Sequence, residues 1–250
     1  MSPVMERVRR TKAFASLKQR VDGPLPSYLW LRARGAVHYV SAGHLPRRRA
    51  LRKYLASTAE PALQVGSGGT RLPGWLNSDL LQGDIYLDLG RLLPLPNAAF
   101  KYVFSEHVIE HISERQGKQL LGELYRILRP GGVVRITTPD LKKIIAIYED
   151  RNPVIAREAY ARFLDHMTGK HHERACQIFN DYMHLWGHLY VYDEADLVAK
   201  MREAGFEGVV RLEPGQSSHP KLTNVEHHGL PWQNDAEAMC VEGTKPAKGA

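Results

Sequence analysis

From residue 62 onward, short apolar runs alternate with turns rich in glycine or proline and with longer segments whose apolar residues recur at helical spacing. A short apolar run between turns is typical of a buried strand, and apolar residues three and four positions apart are typical of an amphipathic helix. This pattern predicts seven strands: Leu63–Val65, Trp75–Leu80, Ile85–Leu87, Phe100–Phe104, Val133–Thr137, Val209–Leu212 and Ala238–Glu242. Strands interleaved with helices in this way predict an α/β sandwich with a mostly parallel sheet.

Helix boundaries follow from capping residues and breakers. Ser113 with Gln116 three residues later is a capping-box pattern, and the helix that it starts is predicted to stop at Pro130-Gly131-Gly132. Further helices are predicted over Leu141–Tyr148 and from Asp193 to Gly205. The stretch between them, about 151–190, is predicted to be a helical, aromatic and His-rich insertion.

The charge of the chain is unevenly distributed. Residues 1–53 hold thirteen Lys and Arg against two acids, a net charge of +11, whereas the whole chain carries only +7. The remainder is therefore slightly acidic, and the basicity belongs to the N-terminal segment. A solvated helical face or a subunit contact is the plainer interpretation of that segment, and binding of phosphates or nucleic acid is the alternative.

Cysteine content and hydropathy favour a cytoplasmic protein. The two cysteines, Cys176 and Cys240, lie far apart without a metal-type spacing. The longest apolar runs, such as 144–147, are far shorter than the ~20 residues that a membrane span needs. The basic N-terminus lacks the apolar region of a secretory signal, so we expect neither a signal peptide nor a membrane span.

The most informative stretch is Leu63–Gly69, where an apolar run breaks into three glycines and Asp79 follows. Glycine lets the backbone turn sharply and approach a ligand, and the acid could accept hydrogen bonds from two ribose hydroxyls. The spacing does not fit the G-x-G-x-x-G dinucleotide motif, and no Gly-Lys-Ser/Thr follows as in a P-loop. A nucleoside-containing cofactor other than NAD or ATP is therefore predicted.

Several stretches in order resemble class I S-adenosylmethionine-dependent methyltransferases: Leu63–Gly69, Leu72–Asp79, Pro94–Phe104, Ser105–Ile112 and Leu124–Gly132. The resemblance covers residues 63–140. It implies a Rossmann-like fold, with a seven-stranded, mostly parallel sheet whose last strand is antiparallel and with helices on both faces. It also implies S-adenosyl-L-methionine as the cofactor and methyl transfer as the activity.

The resemblance also implies roles for individual residues. Backbone at Gly66, Ser67, Gly68 and Gly69 would lie against the methionine portion, and Asp79 would hold the ribose. Asp88 and the Leu89 backbone would meet the adenine, while Ser105 and Glu106 would lie beside the sulfonium. Because only thirteen residues separate Gly66 from Asp79, the usual first helix is abbreviated. We expect another segment to cover that side, with the basic N-terminus as the leading candidate.

Histidines supply the candidate bases for deprotonating an acceptor hydroxyl, because imidazole titrates near neutral pH. His188, just before the helix capped by Asp193, is the preferred base, and His107 is the second candidate. For each, a packing histidine is the plainer interpretation. The run His107–His111 also matches the H-x-x-E-H pattern of inverted zinc proteases. That motif needs a long helix and a third ligand, neither of which the sequence indicates, so no metal is expected.

These observations predict a methyltransferase that modifies an oxygen of a small molecule, with a sugar or glycoconjugate hydroxyl as the first guess and a homo-oligomer as an option. Two alternatives stay open: an RNA or protein N-methyltransferase that uses the basic N-terminus, and a non-catalytic cofactor-binding scaffold. The predicted domains are a basic helical extension over 1–58 that acts as a lid or oligomer arm, a methyltransferase domain over 59–243 that contains the insertion, and a frayed tail over 244–250.

Overall fold

The structure is a computed structural model and describes residues 38–40, 44–184, 186–230 and 232–247. A seven-stranded sheet has the strand order β3-β2-β1-β4-β5-β7-β6. The first five strands pair in parallel, and β7 runs antiparallel to both β5 and β6. The strands are Ala62–Val65, Leu76–Asp79, Ile85–Tyr86, Phe100–Glu106, Leu128–Pro139, Glu207–Leu212 and Ala238–Thr244. The predicted sheet with an antiparallel last strand is confirmed.

Helices flank the sheet, and two short 3-10 turns, Ile109–His111 and Pro220–Leu222, lie in its connections. The α-helices, α1 to α7, are His44–Ala56, Glu114–Ile127, Leu141–Tyr148, Arg157–Thr168, Ala175–His184, Glu194–Glu203 and Gln233–Glu237. Both sides of the Ser113–Gln116 capping box are formed at the start of α2. The predicted end of this helix at Pro130 is wrong: α2 ends at Ile127, and the chain passes directly into β5 because Leu128 already pairs with Phe100. None of the described helices is long and apolar enough to cross a membrane.

One face of the sheet is covered by helices. Side chains such as Leu63, Val103 and Val134 point to this face and pack with Leu124 of α2 and Met201 of α6 in the largest apolar cluster. Strand residues alternate between the faces, so their immediate neighbours in sequence point the other way. The two faces therefore pack against different parts of the chain.

The opposite face is covered by the long connection between β6 and β7. Leu222 and Val225 of this connection pack with Trp75 and Phe104 in a second apolar cluster. In the sheet, β2 lies on one side of β1, whereas β5 lies on the opposite side of β4, so the β1–β2 and β4–β5 connections run in opposite directions. Because both crossovers are right-handed, they lie on opposite faces of the sheet. The connection therefore occupies the face that the abbreviated first helix leaves bare, where we had expected the N-terminal segment. Residues 1–37 and 41–43 of that segment lie outside the described residues.

The predicted insertion contains α4 and α5, which form their own apolar cluster with α3 through Ile144, Tyr160, Leu164 and Tyr182. The chain end departs from the predicted frayed tail. Strand β7 continues to Thr244, and Lys245 exchanges two backbone hydrogen bonds with residues 131 and 132. The tail of 244–250 is thus held to the sheet at its first two residues, and residues 248–250 lie outside the described part.

Candidate functional site

The polar candidates collect at the carboxyl ends of the parallel strands. Val65 pairs with Ser78 on one side and with Ser105 on the other, and Asp79 pairs with Tyr86. The glycine loop, Asp79, Asp88 and Ser105 therefore meet at one edge of the sheet. In open α/β sheets, this edge is where ligands bind.

The glycine loop follows β1, and its glycines differ in how closely other residues pack around them. Gly66 has a φ of +70°, and a Cβ there would lie 2.3 Å from Cγ2 of Val108, so the loop packs tightly on the turn after β4. Around Gly68 and Gly69 no atom of the described residues, apart from those adjacent in the chain, lies within 4 Å of the position that a Cβ would take. Gly66 is thus required by the protein's own packing, whereas the next two glycines leave open space along the backbone.

Asp79 is held in place by backbone donors. Its Oδ2 accepts the N–H of Gly68 at 3.0 Å, and its Oδ1 accepts the N–H of Leu81 at 2.8 Å. A carboxylate has about four lone-pair positions, so both oxygens keep acceptor capacity for a ligand. Asp88 turns back on its own loop, where it accepts the N–H of Gly90 and pairs with Arg91. Side-chain exposure of 34% leaves its carboxylate reachable.

Two serine hydroxyls at this edge are buried without a hydrogen-bond partner among the described residues. They are Oγ of Ser67 in the glycine loop and Oγ of Ser105 at the end of β4. An unsatisfied buried polar atom costs about 1–3 kcal/mol, and such atoms in a native structure call for an explanation. Two of them beside open glycines fit a site that a polar ligand completes.

Glu106 is engaged by the protein itself. Its carboxylate accepts the backbone N–H groups of His227 and His228 at 3.0–3.1 Å and the side-chain amide of Asn234 at 3.2 Å. These donors all belong to the connection before β7 and to α7, more than 120 residues away in the chain. Glu106 therefore fixes the β6–β7 connection, which covers one face of the sheet, to the end of β4.

His107 is likewise occupied. Its φ is +50°, its Nδ1 lies 3.3 Å from Oε1 of Glu110, and its Nε2 lies 3.1 Å from Oδ1 of Asn234. Burial by itself would lower the pKa of His107, but the hydrogen bond and charge of Glu110 outweigh it and raise this pKa to about 9. Burial opposes ionisation of Glu110 as well, yet the neighbouring imidazoles lower the pKa of that carboxyl to about 2. The two groups form a buried ion pair.

His188 has a free ring nitrogen. Its Nδ1 is buried without a hydrogen-bond partner in the part of the chain that the structure describes, and its ring lies near those of His111 and Tyr182, with centroids 5.1 and 5.3 Å away. Burial lowers the pKa of His188 to about 4. The backbone N–H groups of Leu189 and Tyr190 donate to the carbonyl of Glu110, so the segment that carries His188 is fastened to the turn after β4.

Some neighbours of these groups had no assigned role in the sequence. Glu110 was visible within the H-x-x-E-H pattern, but its partner Thr138 lies 28 residues away on β5. Asn234 links His107 and Glu106 from α7 and has no local sequence signal. Tyr182, whose ring lies beside that of His188, is buried in the apolar cluster of the insertion.

Comparison with known proteins agrees with this arrangement. Residues 52–136, which run from α1 into β5, match the family described as "Methyltransferase domain". This third of the chain is therefore similar to methyltransferase domains. The match includes the glycine loop, Asp79 and the turn after β4, but not His188 or the β6–β7 connection.

The proteins to which this chain is similar are distant from it in sequence or match only a short stretch of it. A 48-residue stretch is 44% identical to a probable S-adenosylmethionine-dependent methyltransferase of Mycolicibacterium smegmatis, covering 19% of this chain and 18% of that protein. A possible histamine N-methyltransferase from Thermotoga maritima aligns over 90% of this chain and 97% of its own, at 16% identity and a TM-score of 0.43. Phosphoethanolamine N-methyltransferase 2 of Haemonchus contortus aligns over 84% of this chain and 54% of its own, at 14% identity and a TM-score of 0.44.

Proposed function

We propose that the whole chain is an active methyltransferase that uses S-adenosylmethionine to methylate an oxygen of a small-molecule acceptor. The observation that carries the proposal is the combination, at one sheet edge, of open backbone at Gly68 and Gly69, the fixed carboxylate of Asp79 and two unsatisfied buried hydroxyls. The first offers room, and the other two offer polar atoms with which a bound cofactor would form hydrogen bonds.

The cofactor fits the donors and acceptors of this edge. The backbone of 66–69 and the hydroxyl of Ser67 would hold its amino-acid portion, and Asp79 would accept from the ribose hydroxyls. Asp88 and the backbone of Leu89 would meet the adenine, and the hydroxyl of Ser105 would lie towards the sulfur. Glu106 takes a positioning role in this proposal, because its carboxylate already binds three donors of the protein.

When bound, S-adenosylmethionine supplies a methyl group on a positively charged sulfur, an activated leaving group. The protein's contribution is then alignment of the acceptor and removal of its proton. His188 is the group that we assign to the acceptor hydroxyl, because its Nδ1 has no partner. Both ring nitrogens of His107 face groups of the protein, so we give His107 the role of fixing the turn.

The acceptor class is the less constrained part of the proposal. A sugar or other small hydroxylated compound suits a site whose free polar groups include an imidazole. The test is methyl transfer from radiolabelled S-adenosylmethionine to a panel of sugars and hydroxylated small molecules, with RNA and protein as the competing acceptors. Labelled RNA or protein, with no labelled small molecule, would overturn this assignment.

Cofactor binding is tested by calorimetry with S-adenosylhomocysteine on the full chain. We expect saturable binding, and a loss of roughly 100-fold in affinity for Asp79→Ala, because two hydrogen bonds to a charged acceptor disappear at about 1.5 kcal/mol each. Asp235→Ala is the matched control, since it removes the same functional group from an exposed side chain. Absence of binding by the unaltered chain, or equal affinity in the two variants, would contradict the proposed site.

A further inference from the structure

Three side chains with metal-binding atoms meet beside the turn after β4. One atom each of Glu110, His111 and His188 can be chosen so that all three lie within 4.8 Å of one another. We propose that these residues bind a divalent transition-metal ion, with Zn²⁺ as the ion that their chemistry favours, and that this ion receives the acceptor hydroxyl. The second half of this inference rests on the proposed function.

The carboxylate of Glu110 is arranged as a ligand. It is fully buried, and its Oε2 accepts a hydrogen bond from Oγ1 of Thr138 at 2.9 Å. Its Oε1 faces the imidazoles of His107 and His111 and accepts no well-aligned hydrogen bond. A ligating carboxylate is normally held by such a second contact while its other oxygen binds the metal.

The imidazole of His111 presents the matching nitrogen. Its Nδ1 lies 3.4 Å from the carbonyl of Gly187, which is a contact that favours a proton on Nδ1. Nε2 then keeps its lone pair and lies 3.8 Å from Oε1 of Glu110. Donation of one ring N–H to a backbone carbonyl is the usual way in which a metal-binding histidine is oriented.

His188 supplies the third atom. Its Nδ1 is buried and has no hydrogen-bond partner among the described residues. The backbone on its C-terminal side is tied to Glu110 by two N–H groups that donate to the same carbonyl, at 2.7 and 3.2 Å. A metal bond would satisfy this nitrogen and would add a second cationic partner to Oε1 of Glu110, beside the imidazole of His107 at 3.3 Å.

The donor set indicates both the ion and its use. Two imidazoles and one carboxylate are the ligands of catalytic zinc sites, which keep a further position open for water or substrate. Zinc at about 2.1 Å from each atom needs ligand atoms 3–4 Å apart, which small side-chain rotations reach from the observed spacing. The side chain of His111 is 37% exposed, so the cluster is accessible from solvent.

The geometry differs from that of the inverted zinc-protease motif. In the run 107–111 the chain forms only a 3-10 turn over Ile109–His111, and His107 pairs with Glu110 and Asn234 instead of pointing with His111. The third ligand comes from residue 188, beyond the insertion. The sequence pattern thus contributes two of the three ligands, and the fold supplies the other.

The reaction balances with the ion as a Lewis acid. With the ion bound, His188 would serve as a ligand, and the ion would take over the activation of the acceptor that we assigned to this imidazole. The acceptor R–OH would bind to the ion, which would lower the pKa of the hydroxyl as it does for bound water, and the proton would leave to solvent. The oxygen forms a bond to the methyl carbon while the carbon–sulfur bond breaks and its electron pair stays on sulfur. The products are R–OCH₃, S-adenosylhomocysteine and one proton.

The test is metal binding by the full chain, prepared without an affinity tag and stripped with a chelator. Titration with Co²⁺ is followed by visible absorption, and titration with Zn²⁺ by calorimetry. We expect about one ion per chain, and affinity at least roughly tenfold weaker in His111→Asn and His188→Asn, because each removes one of three ligands. His171→Asn is the matched control: its ring is 75% exposed and pairs with Asp165 instead, so it should bind as the unaltered chain does.

Binding of no Co²⁺ or Zn²⁺, or equal affinity in all three variants, would overturn the metal site. His111 is at the surface, so its variant tests the site without the folding risk that replacement of buried Glu110 carries. Calorimetry with S-adenosylhomocysteine on the same samples separates the two proposals. Cofactor binding without metal binding refutes only the metal site. Metal binding without cofactor binding refutes the proposed function and the role of the ion in receiving the acceptor, but leaves the metal site itself standing.

Discussion

The two ends of the ligand-facing sheet edge are built in different ways. At the β1–β2 end, Asp79 is held by hydrogen bonds that are short in sequence: it accepts from Gly68, eleven residues earlier, and from Leu81, two residues later. At the β4 end, Glu106 and His107 bind groups more than 120 residues away. The end assigned to the cofactor is therefore encoded locally, whereas the end assigned to the acceptor exists only after the β6–β7 connection has folded over the sheet.

The difference separates two kinds of change. An alteration of the local end should affect cofactor binding with limited consequences elsewhere. An alteration of the long-range end should loosen the cover of the sheet and leave the cofactor donors in place. The variants below are arranged to break or sharpen this contrast.

Loss of Arg135 should have the largest effect. Its side chain is completely buried on β5, where it donates to Glu226 at 2.5 Å, to Glu242 at 2.8 Å and to the carbonyl of Gln216 at 2.7 Å. Arg135→Met leaves two buried carboxylates without their cation. We expect the free energy of unfolding to fall by about 3–5 kcal/mol in urea titrations.

Arg129→Met provides the comparison for this variant. The Arg129 side chain makes one exposed hydrogen bond to the carbonyl of Ala59, so its loss should cost about 1 kcal/mol or less. Equal losses in the two variants would show that the long-range cover is not what Arg135 stabilises.

A matched pair of glycine variants tests the local end. Gly66→Ala places a methyl group 2.3 Å from Val108 at a φ of +70°, so we expect it to lower stability by about 2–4 kcal/mol. Gly69→Ala meets nothing within 4 Å and should leave thermal unfolding unchanged while it weakens binding of S-adenosylhomocysteine. If Gly69→Ala binds the cofactor product normally, the open space there is not the cofactor site.

Glu106→Gln separates a positioning role from a cofactor-binding role. The amide loses the charge that three N–H donors share, so we expect a loss of about 1–2 kcal/mol in stability. Hydrogen exchange at the amides of 227–228 should accelerate, and affinity for S-adenosylhomocysteine should stay within a few-fold. A large loss of that affinity with unchanged hydrogen exchange would show that Glu106 binds the cofactor.

The smallest effect concerns the two thiols. Burial, followed by the charge of Glu226, raises the pKa of Cys240 to about 12, so this thiol stays protonated at pH 8 and should not react with a thiol reagent. Cys176 is exposed and should be labelled. Mass spectrometry of the native protein should find one modified cysteine, and labelling of both would mean that the cover over β7 opens readily.

Much of the fold follows from local patterns. The seven strands, the capping box at Ser113 and the helix capped by Asp193 were predicted from periodicity and caps, and all are present. The boundary after α2 was misplaced, because the pairing of Leu128 with Phe100 overrides the break expected at Pro130. A glycine–proline signal marks where a helix cannot continue, but only sheet pairing decides where the strand begins.

The candidate site likewise has a part that the sequence predicts and a part that only the fold brings together. By itself the sequence determined the glycine loop, its acid and the positions of the strands along the chain. Each of these depends on steric or hydrogen-bonding properties of residues close together in the chain. Only the tertiary structure decided the distant partners of Glu106 and His107, the approach of His188 to Glu110 and the packing of the β6–β7 connection on the bare sheet face. Those contacts join side chains far apart in sequence, where the residues at either end carry no local signal of their partner.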